Sequence, residues 1–217
     1  MSRMICQARC RLPVSAGEFA LKVYGNEADG PEVVLIGIHR TTTDPNAVPL
    51  VRMHSACVTG DILGSLRCDC GAQLSASIDR IFKQDYGVLL YLLQHEGRGI
   101  GLANKMRAYA LQEEGLNTAE ANRALGLPED SRTYQPAADV LLQNGIRRIR
   151  LATNNPEKLR ALEESGIEIV ERVHLGGFVN EYNAKYLQTK DAIMHHLGSF
   201  WSLPADTQAV QPTNSTE

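Results

Sequence analysis

Gly87-Val-Leu-Leu-Tyr-Leu-Leu93 runs directly into Gln94-His-Glu-Gly97-Arg98-Gly99-Ile-Gly101-Leu102, and the fold turns on how these two pieces join. The unbroken apolar run from Val88 to Leu93 suits a strand covered on both faces, as strands of parallel sheets are. A polar, glycine-rich loop follows, then helical periodicity over residues 102–114 that stops at Gly115. Strand, loop and helix in this order form the repeating unit of a layered α/β protein. Working outward, the downstream chain keeps alternating. A short helix begins at Thr118 and ends near Gly126, a helix spans 136–144, a strand 146–152, a helix with Pro156 in its first turn 156–165, and a strand 167–173. Upstream, Ile78, Ile81 and Phe82 have helical spacing, and β-favouring runs at 19–24, 33–38 and 48–53 are separated by Gly, Asp, Asn and Pro. The expected fold is α/β, with helices layered around a mixed sheet and a strand-rich N-terminal third. Residues 1–198 read as a single domain, a last helix is expected over 183–197, and the polar residues 199–217 are expected to form a disordered tail.

Composition narrows the function classes. With 217 residues, 43% hydrophobic and 22% charged, the chain can bury an ordinary globular core. A net charge of -3 offers no bulk attraction to a polyanion, so neither nucleic acid nor a membrane surface is an expected partner, and any phosphate recognition must be local. No apolar run approaches the roughly 20 residues of a membrane span, and the start lacks the apolar stretch of a signal peptide, so a cytoplasmic location is expected.

The segment His54-Ser-Ala-Cys57-Val-Thr-Gly-Asp61 and, after it, Ser65-Leu-Arg-Cys68-Asp-Cys70-Gly-Ala-Gln73 sets three thiols in a C-x10-C-x-C arrangement. Three soft ligands suit zinc, and in a reducing compartment a metal site is a better reading of clustered cysteines than a disulfide framework. Three protein ligands leave a coordination position open for water, the catalytic form; His54 could close the site instead, and a structural site or plain core thiols remain readings of the spacing alone. Cys68 and Cys70 flank Asp69, so their thiols share one side only at a strand end or in a tight loop. A base deaminase would need a His/Cys-x-Glu segment and Pro-Cys-x-x-Cys, and neither is present. Paired C-x2-C knuckles and the basic face of a zinc ribbon are missing too. Cys6 and Cys10 stand apart as plain thiols.

Further polar groups gather around the loops. The glycines of residues 97–101 let backbone amides approach an anion at a helix start, where Arg98 can bind phosphate through two parallel hydrogen bonds; a tight turn reads equally well. Lys105 and Arg107 read as solvated helix cations, and His95 as either a surface residue or a neutral donor and acceptor. Thr153-Asn-Asn-Pro-Glu-Lys158 sits at the carboxyl end of a strand, where α/β sheets bind ligands, although it also reads as a capped helix start. Asp130-Ser-Arg132 alone would pass for a surface turn.

Taken in order, these segments resemble the GTP cyclohydrolase II family of riboflavin biosynthesis. Arg52-Met53-His54-Ser55, the three-cysteine segment, residues 94–102, Asn104-Lys-Met-Arg-Ala-Tyr109, Thr118-Ala-Glu-Ala-Asn122, Asp130 to Arg132 and Thr153 to Lys158 carry the likeness, over roughly residues 10–198. The resemblance implies one zinc on Cys57, Cys68 and Cys70, whose water attacks C8 of GTP. Formate, pyrophosphate and 2,5-diamino-6-(5-phosphoribosylamino)pyrimidin-4(3H)-one are the implied products. It assigns base and phosphate binding to Arg52, Met53, His54, Ser55, Gln73, Glu96, Gly97, Arg98, Thr118, Thr153 and Lys158, with magnesium on the phosphates. Tyr109 is implied to orient the purine, and Asp130 and Arg132 to release pyrophosphate as proton acceptor and nucleophile. A protonated guanidinium has no lone pair, so an electrostatic clamp is the cheaper role for Arg132. A homodimer is implied as well. One departure stands out: the family usually reads His-Ser-Glu-Cys, and this chain has Ala56 where that Glu falls. Alanine cannot orient a ligand by hydrogen bonds, which leaves open a member with altered substrate or product, in uracil catabolism or secondary metabolism, and a zinc-containing nucleotide-binding protein without full turnover.

Overall fold

The computed structural model describes residues 4–26 and 34–183. Within them seven strands form one mixed sheet: β1 (Ile5–Val14), β2 (Gly17–Gly25), β3 (Val34–Arg40), β4 (Leu50–Ser55), β5 (Tyr86–Leu92), β6 (Arg148–Ala152) and β7 (Glu168–Val173), in spatial order β1-β2-β3-β5-β4-β6-β7. β1, β2, β3 and β5 pair antiparallel, whereas β5, β4, β6 and β7 run parallel. The strand read from the apolar run is therefore the seam of the sheet, antiparallel to β3 on one side and parallel to β4 on the other. It is the strand at which the sheet changes from antiparallel to parallel pairing.

Period-2 alternation decides what each strand presents to each face. On one face Ile36, Val51, Met53, Val88, Leu90, Ile149 and Leu151 form the core with α5 (Gln135–Gln143) and α6 (Pro156–Glu164), which add Ala137, Val140, Leu141 and Leu162. The opposite face meets α2 (Cys70–Phe82), whose Phe82 ring lies 4.6 Å from those of Phe19 and His39. Arg52 and His54 point to this second face while their neighbours Val51 and Met53 fill the core. Burying the core side chains contributes on the order of 1.5–3 kcal/mol each, which fixes β4 in a register that turns polar groups towards the site.

The remaining helices are α1 (Val58–Asp61), α3 (Gly101–Glu113) and α4 (Thr118–Ala124), with a 3-10 segment at Leu93–Gly99. Asn117 and Glu120 form a capping box at the start of α4, and Asn155 caps α6 through Glu157 N at 2.9 Å. The expected helix over 183–197 and the tail over 199–217 lie outside the described residues, apart from Asn183 itself. No described helix is long and apolar enough to cross a membrane.

Candidate active site

Three neighbouring strand ends deliver the site. β4 leads to Cys57, β5 to the glycine loop and β6 to Thr153, so the carboxyl ends of the parallel strands surround one cavity, as expected for α/β sheets. The cavity, about 140 Å³, is lined by all three cluster cysteines together with Arg52, His54, Ser55, Gln73, Gly97, Arg98, Tyr109, Arg132, Thr153 and Lys158.

Cys57, Cys68 and Cys70 offer sulfurs that all lie within 4.8 Å of one another, and Cys57 and Cys68 are 3.7 Å apart. Tetrahedral zinc with Zn–S bonds of about 2.3 Å sets neighbouring sulfurs about 3.8 Å apart, so the cluster fits the ion. Cys57 precedes α1 and Cys70 is the first residue of α2, with Asp69 between a turn and a helix. Of the two settings expected for Cys68 to Cys70, a strand end or a tight loop, the structure shows the second, a tight turn that runs into a helix start at Cys70. Two glycines permit the approach. A Cβ on Gly60 would meet the Cys68 sulfur at 2.8 Å, and one on Gly71 would meet the Gly60 carbonyl oxygen at 2.3 Å.

His54 does not close the cluster. Its Nε2 lies 3.0 Å from Asp61, whose carboxylate also accepts from Tyr91 Oη at 2.8 Å and from the Cys57 amide at 3.1 Å. Burial, reinforced by the charge of Arg52, lowers the His54 pKa against the pull of Asp61, and its Nδ1 has no hydrogen-bond partner. Asp61 holds the loop that begins at Cys57, and no spacing in the sequence announces it.

Lys105, read from the sequence as a solvated cation, is 8% exposed. Its ammonium donates to Glu96 Oε1 at 2.7 Å, Thr59 Oγ1 at 2.9 Å and Cys57 Sγ at 3.1 Å. Burial alone would lower its pKa, but Glu96 and the Cys57 charge outweigh that and raise it. Hydrogen bonds from Cys68 and Cys70 drive Cys57 well below the usual thiol range against burial, with Thr59 and Lys105 adding to the effect, while Cys68 is pushed up by its hydrogen bond to Cys57 and by burial.

The glycine loop is a strained turn. Gly97 and Arg98 take successive left-handed conformations (φ 61° and 62°), and Arg98 is the one non-glycine residue with positive φ among the described residues. A non-glycine residue there costs on the order of 1–3 kcal/mol and persists where the surroundings enforce it. Here the Arg98 carbonyl accepts from Ser131 N at 3.0 Å, and Gly99 packs so close to Ser131 that a Cβ would lie 3.1 Å from the serine Cβ. The turn and the Asp130 to Arg132 loop therefore hold each other. Arg132 grips Asp130 with its Nε at 2.9 and 3.1 Å and its NH2 at 2.5 Å from the carboxylate. Burial would raise Asp130, yet these bonds and the Arg132 charge hold it below the usual carboxylate range.

Other residues singled out by sequence fall as follows. Arg52 donates to Gln73 at 2.8 Å and to the Ala152 carbonyl at 3.2 Å, and burial pushes its guanidinium down to about 10. Lys158 donates to the Met53 carbonyl at 2.8 Å, and Thr153 Oγ1 accepts from Asn155 N at 3.0 Å. The Met53 side chain sits in the core. Glu96 turns its carboxylate to Val58 N at 2.6 Å, Gly97 N at 3.0 Å and Lys105. Arg67 covers the Tyr109 ring at 4.9 Å. Thr118 lines a neighbouring cavity of about 330 Å³, which shares Gly97, Arg98, Lys105 and Tyr109 with the first. His95 is buried: its Nε2 donates to the Thr133 carbonyl at 3.0 Å, so Nδ1 accepts from Ser55 Oγ at 3.1 Å. Desolvation pushes His95 down to about 4.

The chain matches the GTP cyclohydrolase II family over residues 5–174. It is 47% identical over 197 residues to GTP cyclohydrolase-2 of Tolumonas auensis, covering 91% of this chain and 98% of that protein. It is also 47% identical over 192 residues to GTP cyclohydrolase-2 of Neisseria gonorrhoeae, covering 88% and 95%. With riboflavin biosynthesis protein RibBA of Bacillus subtilis it shares 49% identity over 189 residues, which are 87% of this chain and 47% of that longer protein. The chain belongs to the GTP cyclohydrolase II family, a hydrolase family of riboflavin biosynthesis.

Proposed function

We propose that this chain hydrolyses GTP, opening the guanine imidazole ring with loss of C8 as formate, releasing pyrophosphate and leaving 2,5-diamino-6-(5-phosphoribosylamino)pyrimidin-4(3H)-one. The observation that carries this reading is the single cavity shared by three metal-grade thiols and the cations Arg52, Arg98, Arg132 and Lys158. Zinc held by Cys57, Cys68 and Cys70 supplies a Lewis acid that makes water nucleophilic near neutral pH. The chain's own groups do the rest. Arg98 and the amides of the glycine loop receive phosphate oxygens, with Lys158 and Thr153 opposite them and Thr118 in the adjoining cavity. Magnesium would accompany the phosphates and offset part of their charge. Arg52, His54, Ser55, Gln73 and Tyr109 surround the base, while Met53 and Glu96 contribute backbone placement rather than side-chain contact.

Arg132 acts on the pyrophosphate half. Its forked pairing with Asp130 stabilises the charged guanidinium and the carboxylate together, which favours a preorganised clamp on departing phosphate charge over a guanidine nucleophile. The active species is a cytoplasmic homodimer, following the family.

Incubating zinc-loaded protein with GTP and magnesium, and following formate and pyrophosphate, tests the reading. Both products are expected in equal amounts. GTP binding without either product would reduce the chain to a nucleotide-binding protein. Pyrophosphate without formate would point to the reading that Ala56 favours: this residue lines the cavity beside Cys57 with no carboxylate to offer. In that case the imidazole ring stays closed and the product is altered.

A further inference from the structure

We propose that Lys105 is a positioning residue of the thiol cluster: clamped between Cys57 and Glu96, its ammonium holds the first metal ligand in place and ties it to the glycine loop. The inference rests on the zinc reading of the cluster. Lys105 and Ala108 are the two buried positions of α3, where helical periodicity asks for apolar side chains. An ion there is costly unless its partners are complete. They are complete, because an ammonium has three N–H donors and Glu96, Thr59 and Cys57 take one each.

Charge gives the arrangement its purpose. Three thiolates and one divalent cation leave one negative charge in a buried site (-3 + 2 = -1), and the ammonium stands directly on one of the sulfurs. Donation to Cys57 withdraws electron density from that thiolate, so the sulfur quenches the metal's acidity less. Glu96 keeps the cation in place and has two backbone donors of its own, Val58 N and Gly97 N. Val58 follows Cys57 directly, and Gly97 opens the left-handed turn beside the phosphate groups. A single ion pair therefore spans the metal ligand and the anion loop, and neither can shift without the other.

The test uses the whole protein with zinc and with cobalt(II) as probes. Lys105→Met is expected to bind zinc about 10- to 100-fold more weakly, the range for outer partners of metal ligands. Its cobalt–thiolate charge-transfer band is expected to move to lower energy, because the sulfur becomes more electron-rich. Lys105→Arg should recover most of both. Glu96→Gln leaves the ammonium to Cys57 and Thr59 alone and should move the band the opposite way; this variant carries the test if Lys105→Met does not fold. Wild-type zinc affinity together with an unmoved band in Lys105→Met or Glu96→Gln overturns the proposal. A wild-type protein without any cobalt–thiolate band overturns the zinc reading, and this inference with it.

Discussion

The two ends of the cavity are built on different terms. At the thiol end, Cys57 is fixed through its amide by Asp61 and through its sulfur by Lys105, and Asp61 in turn serves His54 and Tyr91. The far end depends on a loop. There Arg132 reaches a carboxylate only two residues away, and Asp130 keeps about a third of its side chain exposed (35%). The thiol end is thus tied across several elements, whereas Arg132 is held by its own loop, through Asp130 and through the Ser131 contact with the Arg98 turn. One site combines long-range and local ways of fixing a side chain.

Substitutions at four positions probe this contrast, in falling order of effect. Cys68→Ser at the thiol end should remove zinc and lower formate production by about 10³-fold or more, since the ion's charge stabilisation is worth several kcal/mol. Stoichiometric zinc with undiminished formate would show that the buried end is not the metal site. Arg132→Ala should slow pyrophosphate release by about 10²–10³-fold with zinc content unchanged. Arg132→Lys separates the roles: a point charge restores part of the rate if Arg132 is a clamp, and none if two parallel bonds or a guanidine nucleophile are needed.

The third concerns stability. His95 has its folded pKa at about 4, below its ordinary 6.5, so as pH falls the unfolded chain takes up the proton first. The stability that neutral His95 contributes is therefore complete above about pH 6.5 and falls away between there and pH 4. By pH 5 the loss is about 2 kcal/mol. Denaturant titrations at pH 7 and pH 5 should show His95→Gln, which keeps both hydrogen bonds but cannot titrate, losing less than the wild type; equal losses would refute it. The smallest effect is expected for Arg98→Gly. Relief of the left-handed strain, less the entropy of a freer unfolded chain, should leave stability within about 1 kcal/mol of wild type. Nucleotide affinity should nonetheless fall, and an unchanged affinity would take Arg98 out of the phosphate site.

Much of this was legible in the chain. β5, α3, α5 and α6 begin and end within about two residues of their expected bounds, because apolar period, Pro156 and the glycines after the helices are local signals. β1 was not legible: almost every residue of it is exposed, so no burial pattern marks it. α1 and the first turn of α2 hide among Gly, Ser, Cys and Asp, whose intrinsic preferences are for turns and caps. The position of Met53 could have been read from alternation, since Val51 and Met53 share one strand face and Arg52 and His54 the other. Lys105 could not. Periodicity places it on the inner side of α3, but only the tertiary fold brings Cys57, Thr59 and Glu96 to meet it. Asp61 is hidden for the same reason, with partners 4, 7 and 30 residues away in sequence.

The bare Gly71 pressed against the Gly60 carbonyl has one more consequence. In a zinc finger the ion must assemble its own ligands, and its binding energy is consumed as folding energy. Here the two ligand-bearing segments also meet through their backbones, Gly71 against the Gly60 carbonyl, so part of the mould rests on contacts other than those to an ion. A chelator should therefore empty this protein without melting it, and refilling should proceed as simple capture, without a folding step.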